Sequence, residues 1–343
     1  RQMCIRDRLW IDGRKDLYKR MAETIDPTDR IVWVHVASLG EFEQGRPIIE
    51  RIRKTHPEYK ILLTFFSPSG YEIRKNYEGA DYVFYLPADT PSNARRFLDI
   101  VHPEIAIFIK YEFWINLLSE LRRRKVRSYI VSAIFRRNSV FFRPYGAMWR
   151  QALETFDTLF VQNVESKRLL SEIGFDNVVV AGDTRFDRVA QIAAAAQRVE
   201  TIERFRGGGR LFVAGSTWGP DEEILLPLVN ANPDVKFVIA PHEMDEKRIK
   251  EMAGAVRGGA VRYTEYGEAD DGGEKQLLII DTIGILSSVY GYGSYAYIGG
   301  GFGVGIHNTL EAAAFGIPVA FGPNYAKFRE ARDLISLGAA RSI

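Results

Sequence analysis

Two acids and one glycine-rich turn are the parts of this sequence best suited to chemistry. Residues 296–323 read Ala-Tyr-Ile-Gly-Gly-Gly-Phe-Gly-Val-Gly-Ile-His-Asn-Thr-Leu-Glu-Ala-Ala-Ala-Phe-Gly-Ile-Pro-Val-Ala-Phe-Gly-Pro. The pattern predicts a strand, a turn, a helix capped by His307 or Asn308 and running to about Ala314, a stop at Gly316, and a second strand from Val319. Five glycines between Gly299 and Gly305 let the backbone approach a ligand closely, and the free N–H groups of a helix start favour an anion, most simply a phosphate. Glu311, one turn into that helix on the side of His307, is placed to accept hydrogen bonds from a ribose diol. The alternative is a tight strand-to-helix turn with no ligand. Glu41 and Glu112 each follow an apolar run by a few residues. Carboxylates at such strand ends suit general-base work or the binding of a hydroxyl. The bland alternatives are an ordinary first-turn glutamate at 41 and a helix N-terminal charge at 112.

The elements that must position these groups alternate regularly. Apolar runs at 31–37, 61–66, 82–86, 105–109 and 128–131 are separated by stretches with helical spacing, and Asp89 or Thr90 can cap one of the helices. A second series has runs at 158–161, 178–180, 211–214, 236–240 and 277–280. Such alternation predicts parallel sheets with helices on both faces, and ligands gather at the carboxyl ends of the strands. The expected fold is therefore α/β, with two doubly wound Rossmann-like domains facing a cleft. The first spans residues 1–150 and the second 155–343, with a boundary near residue 155. The glycine turn, Glu311, Ser216, Thr217 and Arg185 would line the second domain's side, suited to a nucleotide; Glu41 and Glu112 would line the first. The acid- and glycine-rich stretch 254–275 reads as a mobile loop around one weak strand.

Residues 134–150 break the alternation by mixing four arginines with five aromatics. They form either a surface that meets an anionic amphiphile or bilayer headgroups, or a connecting helix with aromatics packed inward and arginines solvated.

The bulk properties narrow the classes. A chain of 343 residues suits two domains, and a net charge of +2 carries no overall signal for nucleic acid. Cys4 is the only cysteine, so the chain holds no internal disulfide and no cysteine zinc site; five scattered histidines lack metal-ligand spacing. No run of about 18 apolar residues spans a membrane. Residues 1–8 look like a non-native leader, and the end arrives as a new strand begins after Gly338, so missing termini are expected, and with them any membrane anchor. The Gly-x-Gly-x-x-Gly register of a dehydrogenase, the Walker Gly-Lys-Ser/Thr and the Gly-x-Ser-x-Gly elbow are all missing from the sequence.

Taken together, His-Val-Ala-Ser-Leu-Gly-Glu (35–41), Tyr-Glu-Phe-Trp (111–114), Gly-Asp-Thr-Arg-Phe-Asp (182–187), Gly-Ser-Thr (215–217), Ala-Pro-His (240–242) and the glycine-rich stretch with His-Asn-Thr-Leu-Glu (307–311) resemble the Kdo transferase family, from about residue 31 to the end. These enzymes move 3-deoxy-D-manno-octulosonic acid (Kdo) from CMP-Kdo to the lipid A precursor of lipopolysaccharide. The resemblance implies the GT-B glycosyltransferase fold, inversion at the anomeric centre, no metal ion, no cofactor and no nucleic-acid partner. It further implies lipid IVA as acceptor, at the cytoplasmic face of the bacterial inner membrane. It makes Glu41 the general base and Glu112 an acceptor-side acid. Ser216, Thr217, Gly301, Asn308, Thr309 and Glu311 fall on the nucleotide side, with Arg185 and His242 as further substrate contacts. Two departures stand out: Asp183 and Arg185 replace the Asn and Lys of many members, and His242-Glu243 replaces Arg-His. Arginine keeps the charge and can bind phosphate or carboxylate with two hydrogen bonds. Another GT-B enzyme using a UDP-sugar, a transferase or a 2-epimerase, is the competing reading.

Overall fold

A computed structural model of the chain describes residues 8–267 and 275–343. It divides into two compact units, 1–188 and 189–343. Each is built on a seven-stranded parallel sheet with helices between the strands. The α/β class is as the alternation predicts.

The first sheet has the order β3-β2-β1-β4-β5-β6-β7. β1 (Ile31–Val36) is Ile-Val-Trp-Val-His-Val and is buried along its whole length, as a central parallel strand must be. It pairs with β2 (Lys60–Phe65) on one side and β4 (Ile105–Ile109) on the other. β3 (Tyr82–Tyr85) lies outside β2, and β5 (Arg127–Ala133), β6 (Thr158–Val161) and β7 (Val178–Val180) extend the other edge. The boundary expected near residue 155 therefore falls inside the first sheet. β6 pairs onto β5 and β7 onto β6, and helix Thr184–Ala194 carries the chain across the division between units. β5 does not close the first set because Leu159 and Val161 are fully buried against it, an apolar area that an isolated pair of strands could not cover.

The second sheet has the order β10-β11-β9-β8-β12-β13-β14. β8 (Leu211–Thr217) and β12 (Tyr295–Ile298) are its central neighbours. β9 (Lys236–Pro241), β11 (Leu277–Ile279) and β10 (Ala260–Arg262) lie beyond β8. β13 (Val319–Phe321) and β14 (Ala340–Ser342), the strand expected after Gly338, lie beyond β12. β10 is the one weak strand expected within 254–275; residues 268–274 of that stretch lie outside the described residues.

The 134–150 segment resolves toward the inward-packed reading for its phenylalanines. Phe135 and Phe141 are buried, and Phe113, Phe135, Phe141 and Trp149 form one aromatic cluster. The segment is not one helix: a short 3-10 turn at Val140–Phe142 precedes helix Ala147–Leu153. Tyr145 and Met148 remain exposed. Among the described residues no helix is long and apolar enough to cross a membrane.

Candidate functional site

In a doubly wound sheet the strand order reverses at a switch point, and chains leaving the two strands there diverge to leave a crevice. In the first sheet that point lies between β1 and β4. Glu41 follows β1 in the first turn of helix Leu39–Thr55, and Glu112 follows β4. The structure thus brings together the two acids singled out from the sequence.

Glu41 accepts the Ala37 N–H through Oε2 at 2.6 Å. Burial pushes its carboxyl above the ordinary glutamate range, and the nearby Glu112 charge adds to the rise. The Ala37 N–H, Lys110 and His35 pull the other way. A helix start alone would favour the charged form; here desolvation and a like charge prevail. That combination suits a base able to hold a proton after taking it.

Glu112 is 8% exposed. Its Oε2 accepts Trp114 Nε1–H at 2.6 Å and lies 3.0 Å from His35 Nε2. The loop is fixed by Asp89, whose carboxylate accepts the Asn116 and Leu117 N–H groups at 3.0 and 2.9 Å. Asp89 so anchors the start of helix Ile115–Arg123, while Thr90 caps its own helix, Pro91–Val101. Trp114 is further held by Phe66, ring to ring at 4.6 Å. Phe66 is held in turn by Arg14, whose guanidinium donates to the Phe66 and Leu86 carbonyls at 2.8 Å each. With no carboxylate partner among the described residues, burial lowers the Arg14 pKa to about 10.

Arg185 is placed differently from the expectation. It lies in the first unit, not with the nucleotide-side residues, because β6, β7 and the start of the following helix belong to the first sheet. Its Nε donates to Asp183 Oδ2 at 2.8 Å and its backbone N–H to Oδ1 at 2.9 Å. Tyr111 is close enough to Glu41, Arg136, Asp183 and Arg185 to feel all four charges.

The second sheet reverses between β8 and β12. A register shift at the end of β8 puts Ser216 in the left-handed region, φ 53°. Lys110 and Ser132, at the ends of β4 and β5, also have positive φ. Strained non-glycine residues of this kind collect at functional edges. The glycine-rich turn leaves β12 directly against β8: a Cβ on Gly299 would sit 2.2 Å from the Ser216 carbonyl oxygen. Gly301 is pressed equally against Gly322, with a Cβ falling 2.6 Å from its backbone. Asp221 ties the turn down, accepting Gly300 N–H at 2.9 Å, Trp218 N–H at 2.8 Å and the Tyr297 hydroxyl at 2.6 Å. Asn324 donates to the Gly303 carbonyl and Lys327 to the Val304 carbonyl.

The helix after the turn is shorter than expected, Leu310–Ala313, with Thr309 rather than His307 or Asn308 at its N-cap. Asn308 instead bridges: Oδ1 accepts Leu310 N–H at 3.1 Å and Nδ2 donates to Glu311 Oε1 at 2.9 Å. Ser287 holds the other Glu311 oxygen at 3.1 Å. Thr217 is fully buried and its hydroxyl is spent on Glu222, which Arg248 also grips with two hydrogen bonds. Any ligand contact by Thr217 is therefore through its backbone. The Thr309 hydroxyl is buried without a hydrogen-bond partner among the described residues. His242 stacks on His307 at 4.4 Å and on Trp218 at 4.6 Å, while His307 Nε2 accepts Trp218 Nε1–H at 3.0 Å. Burial first, then His242, holds the His307 pKa down.

Sequence reasoning missed His35, Thr64, Trp114, Asp221 and the ring group Trp218–His307. For His35 a signal existed: a polar residue inside an otherwise apolar buried strand needs a partner. Among the described residues no group of three or more His, Cys, Asp or Glu side chains is arranged to hold a metal ion.

Two seven-stranded parallel units, with paired acids at the first switch point and a glycine turn at the second, define the GT-B class of α/β fold. The chain belongs to the family described as 3-deoxy-D-manno-octulosonic-acid transferase (kdotransferase), whose model matches residues 12–188, just over half of its length. Membership makes it a glycosyltransferase of Kdo transfer in lipopolysaccharide synthesis. It is 27% identical over 311 residues to the 3-deoxy-D-manno-octulosonic acid transferase of Aquifex aeolicus, covering 89% of this chain and 79% of the relative. To the enzyme of that name from Bordetella pertussis it is 28% identical over 327 residues, 90% of this chain and 75% of the relative. Among solved structures, the UDP-GlcNAc 2-epimerase of Neisseria meningitidis superposes with a TM-score of 0.59 at 16% identity, over 91% of this chain and 86% of the other. At that identity the likeness speaks for the fold alone.

Proposed function

We propose that the protein transfers Kdo from CMP-Kdo to a lipid A precursor of the lipid IVA type, with inversion at the anomeric carbon and without a metal ion, at the cytoplasmic face of the inner membrane. The observation that carries this reading is Glu41: a half-buried carboxylate at the first switch point, one oxygen held by Ala37 and its proton affinity raised beside Glu112. In the reaction a hydroxyl of the glucosamine disaccharide forms a bond to the anomeric carbon of Kdo. The bond from that carbon to the CMP phosphate oxygen breaks, and CMP leaves with the electron pair. Glu41 takes the hydroxyl proton. Glu112 binds on the acceptor side, and Arg185, steadied by Asp183, is an anion-binding cation of the first unit.

The second unit is assigned the CMP. Backbone N–H groups of the glycine turn, Gly301 included, and of Ser216, Thr217 and Thr309 suit the phosphate. His242, stacked on His307 and Trp218, offers a flat face. Glu311, its oxygens already aligned by Asn308 and Ser287, is assigned the ribose hydroxyls. Glu311→Ala is expected to weaken CMP binding about tenfold, the scale of a lost hydrogen bond to a charged group. Thermal shift with CMP, and with UDP as control, reads this out. An unchanged CMP affinity removes the ribose role, and stabilisation by UDP in place of CMP favours the UDP-sugar reading.

A further inference from the structure

The first unit contains a buried chain of polar groups that the transfer steps above leave unused. Trp33 Nε1–H donates to Thr64 Oγ1 at 2.8 Å, and Thr64 Oγ1 lies 2.8 Å from His35 Nδ1. On its other side, His35 Nε2 lies 3.0 Å from Glu112 Oε2. His35 and Thr64 are completely buried. Trp114 Nε1–H reaches both Glu112 Oε2, at 2.6 Å, and His35 Nε2, at 3.0 Å; given to the shorter contact, it leaves His35 Nε2 to carry its own proton toward the carboxylate. Nδ1 then accepts from the Thr64 hydroxyl, and Thr64 accepts from Trp33. One proton arrangement satisfies every member of the chain, which is what a buried network requires.

Both donors, His35 and Trp114, converge on the same oxygen of Glu112. Oε1 has no hydrogen-bond partner among the described residues and is not sealed from solvent. We propose that His35 is a positioning residue for the transfer: it fixes the rotamer of Glu112, so that Oε1 alone is presented to the acceptor. This rests on the acceptor-side role proposed for Glu112. The charged and titratable groups around the pair are Glu41 on the helix after β1, Lys110 and Tyr111 at the end of β4, and, near Tyr111, Arg136, Asp183 and Arg185. His35 and Trp114 are the side chains that donate to Glu112 directly.

The test is steady-state transfer at saturating CMP-Kdo with the lipid acceptor varied. In His35→Phe kcat/KM for the acceptor falls about 10- to 100-fold while CMP still stabilises the folded protein. His35→Gln can return an N–H to Oε2 and brings kcat/KM back toward wild type. An unchanged kcat/KM in folded His35→Phe overturns the proposal, as does a His35→Gln no better than His35→Phe. If His35→Phe does not fold, Thr64→Val frees the His35 tautomer and is expected to lower kcat/KM in the same direction by less; no change there also overturns it. A failed Glu41 assignment would show separately, as transfer by Glu41→Gln.

Discussion

Glu41→Gln is expected to abolish Kdo transfer, lowering kcat by about 10²- to 10⁴-fold, while CMP still stabilises the folded protein. Glutamine keeps the shape and an oxygen for the Ala37 N–H but cannot take a proton. Ligand binding by the second unit should be untouched, because none of the groups assigned to CMP lies near Glu41 in the sequence or belongs to the first sheet. The wild-type pH profile carries a second part of the result. The base must be ionised to work, so the rate falls as pH drops through the Glu41 pKa. Burial and the Glu112 charge raise that pKa, so the acid limb should sit above that of an ordinary glutamate. Glu112→Gln removes the neighbouring negative charge and should move whatever activity remains to a lower acid limb. An acid limb that rises in that variant contradicts the assignment.

Gly299→Ala is expected to destabilise the second unit by about 3 kcal/mol or more, an apparent Tm loss of about 10 °C. The added methyl would lie 2.2 Å from the Ser216 carbonyl oxygen and 2.7 Å from the Thr217 Cα, backbone atoms of a central strand that no side-chain rotation can move aside. Gly303→Ala in the same turn is the control. The nearest atom to its new Cβ, the Gly300 carbonyl oxygen, is at 3.6 Å, and its φ is not in the left-handed region. That variant should stay within about 0.5 kcal/mol of wild type. Equal effects of the two substitutions, measured by denaturant unfolding, would show that the turn is not locked against β8.

Much of this was legible in the sequence because its signals are local. The apolar run of β1, the position of Glu41 three residues after Ser38, and the glycines after β12 each depend only on neighbours in the chain. The domain boundary was not legible: β5 and β6 belong to one sheet through their pairing across some 25 residues, which no local pattern reports. Arg185 was assigned to the wrong unit for the same reason. Thr217 and Asn308 were placed on the nucleotide side; their side chains bond close neighbours in the chain, Glu222 five residues on and Glu311 three residues on. His35 stood in view inside an apolar strand, yet its meaning depends on Thr64, 29 residues on, and Glu112, 77 residues on.

The most direct measurement is transfer itself: CMP-Kdo and a lipid A precursor incubated with the wild-type protein and with Glu41→Gln, and the lipid product analysed by mass spectrometry. Added Kdo with the wild-type protein, release of CMP in equal amount and no product above background with Glu41→Gln is the expected result. Folded wild-type protein that adds no Kdo from CMP-Kdo, or Glu41→Gln that adds it at the wild-type rate, would contradict the proposal.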